Sequence, residues 1–232
     1  MNPGASERLR SDGPVLLAGG GDCPPDLLSP LLDKAQLRVA ADGGADALLA
    51  AGVIPDAVIG DLDSLTDDAR AAIPPERIHL ITEQDSTDFD KCLRNIAAPL
   101  VYAAGFLGAR LDHQLAAMTV LARHPDRRCL LVGRDDVVAL CPPRISLELP
   151  IGCRFSLYPM ADCGGTSSGL RWPIDGLRFR PDGITGTSNQ TDAPRVDLSF
   201  DAPKMLIILP AQHLAPLAQA LQQADARWPA RA

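Results

Sequence analysis

"LRVAADGGADALLAAGVIPDAVIGDLDSLTDD" (residues 37–68) decides the fold, because it reads as a complete strand–helix–strand unit with a second helix opening behind it. "LRVAADGG" (37–44) is an apolar strand running into a glycine turn. "ADALLAAG" (45–52) is a short helix closed by Gly52, the residue best suited to a helix C-terminus. "DAVIGD" (56–61) is a second strand, and Thr66 is a helix N-cap for "TDDARAAI" (66–73). Within the last turn Asp61 and Asp63 flank a single leucine. If the chain stays extended there, both carboxylates point the same way and repel. A cation between them would relieve that repulsion.

The same alternation continues on both sides. "PVLLAGG" (14–20) predicts a strand and "PPDLLSPLLDKA" (24–35) a helix with Leu27, Leu28, Leu31 and Leu32 on one face. Downstream come a strand at 77–82, a helix at 86–98, a strand at 99–105, a helix at 111–124 and a strand at 128–133. Strands alternating with helices predict right-handed crossovers and a mainly parallel sheet covered on both faces. In such sheets ligands gather at the carboxyl ends of the strands.

The character changes near "CPPR" (141–144). "ISLELP", "CRFSLYP", "LRFR", "RVDLSF" and "KMLIILP" are short β-rich runs separated by Gly, Pro, Asp and Asn, as in an antiparallel module. The expectation is therefore an α/β sandwich domain over residues 1–140 and an antiparallel all-β sandwich domain over 141–232.

Composition narrows the classes. A formal charge of −7 argues against a broad electrostatic grip on nucleic acid. It leaves phosphate substrates open, since a bound divalent metal reverses the local sign. The six cysteines contain no C-x-x-C pair and read as reduced core thiols of a cytoplasmic protein. The first residues lack the apolar stretch of a signal peptide, and no apolar run approaches a membrane span.

The unusual residues all follow predicted strands: Asp42; then Asp61 and Asp63; then Asp85 and Asp88; then Arg110, Asp112 and His113. Singly each has an ordinary explanation, as a turn residue, a cap or a first-turn helix acid. Together, six carboxylates on one sheet edge need raised pKa values or a bound cation. All-oxygen ligands favour Mg²⁺, or Mn²⁺. Magnesium takes few protein carboxylates and completes its shell with water and phosphates, so the second ligand is a nucleotide. The glycines at 18–21 and 42–44 allow close backbone approach to an anion. Lys91 reads either as a phosphate ligand or as a solvated or paired helix residue.

"VAADGGAD", "PDAVIGDLDSL", "DSTDFDKCL", "GARLDH" and "GTSN" (186–189), in this order, resemble the thiamine pyrophosphokinase family, with matches spread from about residue 15 to 190. The resemblance implies a homodimer whose active sites are shared between subunits, and transfer of the pyrophosphoryl group of ATP to thiamine with Mg²⁺. By position it makes Asp42, Asp61, Asp63 and Asp88 the catalytic, metal-holding carboxylates. Asp85, Thr87, Lys91, Arg110, Asp112 and His113 then serve the nucleotide. Ser188, Asn189 and Trp172 serve thiamine, although Trp172 reads equally as a core aromatic. Ala117, where the family often has Asn, and Ala109, where a second Gly is common, depart from the pattern. A pyrophosphokinase for a hydroxymethyl pterin, a D-x-D phosphatase using Asp61 as nucleophile, and a non-catalytic nucleotide-binding protein are the rival readings.

Overall fold

The computed structural model describes residues 9–108 and 110–230. Ala109, one of the two departures noted above, lies outside the described residues, as does the start of the chain. The backbone separates into two compact units: residues 1–120 with 131–133, and residues 121–130 with 134–232.

The first unit contains β1 (Leu9–Arg10), β2 (Val15–Ala18), α1 (Pro25–Leu32), β3 (Leu37–Ala41), α2 (Gly44–Ala50), β4 (Ala57–Gly60) and α3 (Asp67–Ala72). These are followed by β5 (Ile78–Leu80), α4 (Asp88–Asn95), β6 (Ile96–Ala97) and β7 (Val101–Ala104), and by α5 (Leu111–Arg123) and β8 (Cys129–Val132), whose residues 121–130 count with the second unit. Strands β7, β2, β3, β4 and β5 lie side by side in that order and every pair is parallel. Strands β2, β4 and β7 are buried along their whole length, which is why they read as continuous apolar runs rather than alternations. Thr66 caps α3 as expected, its hydroxyl accepting the Ala69 N–H.

The chain goes outward from β2 through β3 and β4 to β5, then returns to place β7 on the other side of β2. The switch point is therefore at the carboxyl ends of β2 and β7, where such sheets bind ligands. The ladder of β1 with β6 escapes the sequence reading. The helix expected over 86–98 stops at Asn95, and Ile96–Ala97 turns extended to pair in parallel with Leu9–Arg10.

The second unit contains β9 (Asp136–Leu140), β10 (Arg144–Glu148), β11 (Arg154–Pro159), β12 (Cys163–Ser168), β13 (Arg178–Phe179), β14 (Gly186–Gln190), β15 (Arg195–Phe200), β16 (Met205–Pro210) and α6 (Leu214–Gln223). Two antiparallel arrays form, β14-β11-β16-β9 and β10-β15-β12-β13. Their strands alternate as an antiparallel sheet with one wet face demands: Ile145 and Leu147 are buried while Arg144, Ser146 and Glu148 are exposed. The unit is not wholly β. Helix α6 packs on β10 through a stripe that buries Leu217 and Leu221, and Arg128 donates to the Gln222 and Ala224 carbonyls at its end. That places a cation on the negative pole of the helix.

Candidate active site

The carboxyl ends of β2 and β7 meet backbone to backbone. Gly19 N–H donates to the Ala104 carbonyl at 2.8 Å, and Gly21 N–H to the Gly105 carbonyl at 3.1 Å. A Cβ on Gly21 would stand 2.5 Å from the Gly105 oxygen, and Gly105 itself has φ +82°, so this junction needs glycine. It forms one wall of a cavity of about 600 Å³, whose lining includes Gly20, Asp42, Asp61, Asp88, Lys91 and Phe106. Phe106 packs on Phe89, ring centroids 4.4 Å apart, giving the cavity an aromatic side.

Three carboxylates converge there, one from the end of β3, one from the end of β4 and one from the start of α4. Asp42, Asp61 and Asp88 each place an oxygen within 4.8 Å of the others. Gly60 makes room for them, since a Cβ at that position would lie 2.9 Å from Asp42 Cβ and 3.2 Å from Asp88 Oδ1. Asp42 is held at φ +45°, a conformation Asp and Asn tolerate better than most residues.

Asp63 lies outside this three-carboxylate set, although its carboxyl borders Asp42. Leu62 has φ +65°, so the chain turns immediately after Asp61 and the extended geometry that would align the two carboxylates is lost. Asp63 is exposed and accepts the Ser64 hydroxyl at 3.0 Å. Asp85 is exposed as well, its N–H donating to Glu83. Thr87 caps α4, and Thr87, Arg110 and His113 line the cavity. Arg110 pairs with Asp112 at 2.7 Å, both exposed.

Of the readings open for Lys91, the structure shows the paired helix residue, not a solvated one. It is 1% exposed, with Nζ 3.0 Å from Asp88 Oδ1 and 3.2 Å from Asp61 Oδ2. Gln84, which the sequence reading missed, donates to the same Asp61 oxygen at 3.0 Å; a glutamine in a loop carries no signal for this. Glu83 holds the loop in place by accepting from Arg94, Ser86 and the Asp85 N–H. Ser64, also missed, donates its N–H to Asp42 Oδ2 at 3.0 Å.

This leaves Asp42 Oδ1 and Asp61 Oδ1 buried with no hydrogen-bond partner among the described residues. Orphaned carboxylate oxygens are costly, and two of them in an all-oxygen cluster fit a hard cation such as Mg²⁺. Burial, reinforced by the neighbouring Asp63 and Asp88 carboxylates and opposed by the Ser64 N–H, pushes the Asp42 carboxyl up to about 6. Burial also lifts Asp61, but the hydrogen bonds from Lys91 and Gln84 outweigh it and hold that carboxyl below its ordinary value.

A pH dependence follows for Asp42. Its folded-state value lies above the roughly 4 of an unfolded aspartate. Its contribution to stability is complete below pH 4 or so and is lost as pH rises through about 6. Asp42→Asn removes that loss and keeps the acceptor for Ser64. In chelator the variant should be more stable than the parent by about 1–3 kcal/mol at pH 7.5, with the gap closing towards pH 4.5. Denaturant melts at the two pH values check this, and equal stability at pH 7.5 would refute it.

The residues assigned to a second substrate sit in the second unit. Asn189 is buried: its Nδ2 donates to the Trp172 carbonyl at 2.7 Å, and its Oδ1 accepts the Trp172 and Gln190 N–H groups at 3.2 and 2.8 Å. Its amide thus positions the backbone of Trp172. The indole is 53% exposed, so the core-aromatic reading fails, and the Arg171 guanidinium lies 5.0 Å from the ring centroid. Ser188 is exposed at φ +60°, its N–H donating to Ser156.

Comparison with known proteins bears on this geometry. Residues 28–131 match the family model described as the thiamin pyrophosphokinase catalytic domain. Thiamine pyrophosphokinase 1 of Arabidopsis thaliana is 31% identical over 209 residues, covering 75% of this chain and 78% of the relative. Thiamine pyrophosphokinase 1 of Oryza sativa subsp. japonica is 30% identical over 209 residues, covering 75% and 79%. The crystal structure of thiamin pyrophosphokinase from Geobacillus thermodenitrificans superposes with a TM-score of 0.71 at 25% identity, over 85% of this chain and 97% of that one. The carboxylate cluster, its place at the switch point and these matches agree: the chain belongs to the thiamine pyrophosphokinase family.

Proposed function

We propose that the chain transfers the pyrophosphoryl group of ATP to the hydroxyethyl oxygen of thiamine, giving AMP and thiamine diphosphate. The observation that carries the reading is the pair of orphaned oxygens, Asp42 Oδ1 and Asp61 Oδ1, in a cluster at the strand ends of a family member. A new bond forms between the thiamine oxygen and the β-phosphorus as the bridging oxygen leaves with AMP, and the hydroxyl proton is released. Such transfers ask for positioning and charge neutralisation more than covalent work by the protein.

Asp42, Asp61 and Asp88 would hold Mg²⁺, with Asp63 and Asp85 at the margin. A bound magnesium ion supplies charge neutralisation for the phosphate oxygens. The chain's own residues do the rest. The Gly20–Gly21 backbone lets phosphates approach closely, and Arg110 offers a planar fork suited to phosphate oxygens. Thr87 and His113 border the same space, and Asp112 orients Arg110. In the second unit, Trp172 presents an exposed ring for a flat heterocycle, with Asn189 fixing its backbone and Ser188 beside it.

Incubation with Mg–ATP and thiamine tests the reading, with AMP and thiamine diphosphate as the expected products. Free phosphate without AMP would indicate the D-x-D phosphatase instead. AMP formed only with a hydroxymethyl pterin would indicate the other pyrophosphokinase, and no product a binding protein.

The proposal includes a homodimer with shared active sites. Asp61→Asn and Trp172→Ala, each inactive alone, should then recover up to about a quarter of wild-type activity when unfolded together and refolded as mixed dimers. No recovery in mixed dimers would mean each subunit completes its own site. It also includes a cytoplasmic setting, in keeping with six cysteines that are buried free thiols. No helix among the described residues is long and apolar enough to cross a membrane.

A further inference from the structure

We infer that Lys91 is a built-in second cation of the site: its ammonium takes one flank of the Asp42–Asp61–Asp88 cluster, and the cluster accepts a single divalent ion on the other. The inference rests on the metal-dependent reading above and goes beyond it by fixing the stoichiometry.

The two oxygens of Asp61 are divided. Oδ2 is saturated by the chain itself, with Lys91 Nζ at 3.2 Å and Gln84 Nε2 at 3.0 Å, whereas Oδ1 is buried and unpartnered. Asp42 is divided in the same way, Oδ2 accepting the Ser64 N–H and Oδ1 left bare. Asp42 is 3% exposed, so solvent does not reach it freely. Asp88 spends Oδ1 on Lys91 at 3.0 Å. The bare oxygens thus belong to the ends of β3 and β4, and the occupied oxygens of Asp61 and Asp88 turn to the ammonium that α4 supplies.

Two-metal sites set their ions about 3.5–4 Å apart and bridge them with shared carboxylates. Asp61 and Asp88 are the carboxylates placed to share, and the oxygens they would share are already joined by Lys91. Charge leads to the same result. Three carboxylates and one ammonium leave two negative charges, which one divalent ion cancels. A second ion would leave two uncompensated positive charges in a poorly solvated place. Nor is Lys91 a long surface arm able to leave for a phosphate, being 1% exposed. It is a positioning residue, acting on the ion through Asp61 and Asp88.

The test needs no turnover. Chelator-stripped protein without nucleotide is titrated with Mn²⁺, the free ion being followed by electron paramagnetic resonance. Wild type should take up one Mn²⁺ per chain. Lys91→Met should gain a second equivalent and bind the first at least about tenfold tighter, through the lost repulsion. Two equivalents or none in wild type, or a Lys91→Met titration matching wild type in number and affinity, would overturn the inference. Should Lys91→Met fail to fold, ¹⁵N-lysine spectra of wild type decide. The Lys91 ammonium protons should stay protected from solvent exchange at saturating Mg²⁺, and their release into fast exchange would mean displacement and refute the assignment. A wild type that makes thiamine diphosphate yet holds two ions defeats this inference alone. One that makes no AMP defeats the functional reading itself.

Discussion

Asp61→Asn is expected to lower turnover about a hundred- to a thousandfold while lowering, not raising, thermal stability. The loss of activity follows from removing an anionic oxygen where cation and triphosphate must be neutralised. Relief of like-charge repulsion, read from the sequence alone, would make the variant more stable. The structure reverses that sign, because Asp61 is bound to Lys91 and Gln84 and its carboxyl lies below the ordinary value. A lowered folded-state value contributes stability above about pH 4 that disappears as the group is protonated. The asparagine weakens the hold on a buried ammonium that retains Asp88 as a partner, a cost of about 1–2 kcal/mol. Rates of AMP formation and thermal melts in chelator at pH 7.5 check both halves. Wild-type turnover would remove Asp61 from the site, and a raised melting point would mean that repulsion dominates.

Gly44→Ala is expected to cost about 3 kcal/mol or more, or to prevent folding. A Cβ at Gly44 would stand 2.0 Å from the Ala18 carbonyl oxygen and 3.0 Å from Gly19 Cα. Both are backbone atoms, so no side chain can rotate away. The glycine pair after β3 thus has a second purpose beside admitting an anion: it lets α2 start against the end of β2. Gly52 is the internal comparison. It has φ +77° with nothing within 4 Å of a built Cβ, so Gly52→Ala should cost only about 1 kcal/mol, from conformation alone. Denaturant unfolding of both variants separates contact from conformation. A Gly44→Ala protein as stable as the Gly52→Ala protein would contradict the close approach.

The fold of the first unit was legible because parallel buried strands are apolar throughout, and caps such as Thr66 and Thr87 mark the helices between them. Legibility failed where the local signal was weak or in conflict. Strand β12, "CGGTSS", carries no apolar alternation and is strand through its partners β13 and β15. Helix α6 follows directly on a β-rich run and contains Pro216, tolerated because it lies in the first turn. In the site, Asp42, Asp61 and Asp88 were legible as carboxylates following strands. What the sequence could not convey was the positive φ of Leu62, which parts Asp63 from Asp61. Nor could it convey the burial of Lys91, whose partner Asp61 lies thirty positions away.

The two-residue ladder between β1 and β6 gives the opening of the chain leverage over chemistry far from it in sequence. Helix α4 begins with Asp88 in the cluster and hands over at Asn95 to Ile96–Ala97, which is zipped to Leu9–Arg10 and braced by the Ser11 N–H on the Ala97 carbonyl at 2.9 Å. The helix is thus moored at both ends, by the Lys91–Asp61 ion pair at one and by Leu9–Ser11 at the other. Trimming or fusing the protein through Leu9–Ser11 would slacken the far mooring, and the slack would reach Asp88 and Lys91 as a loss of aim before any loss of fold.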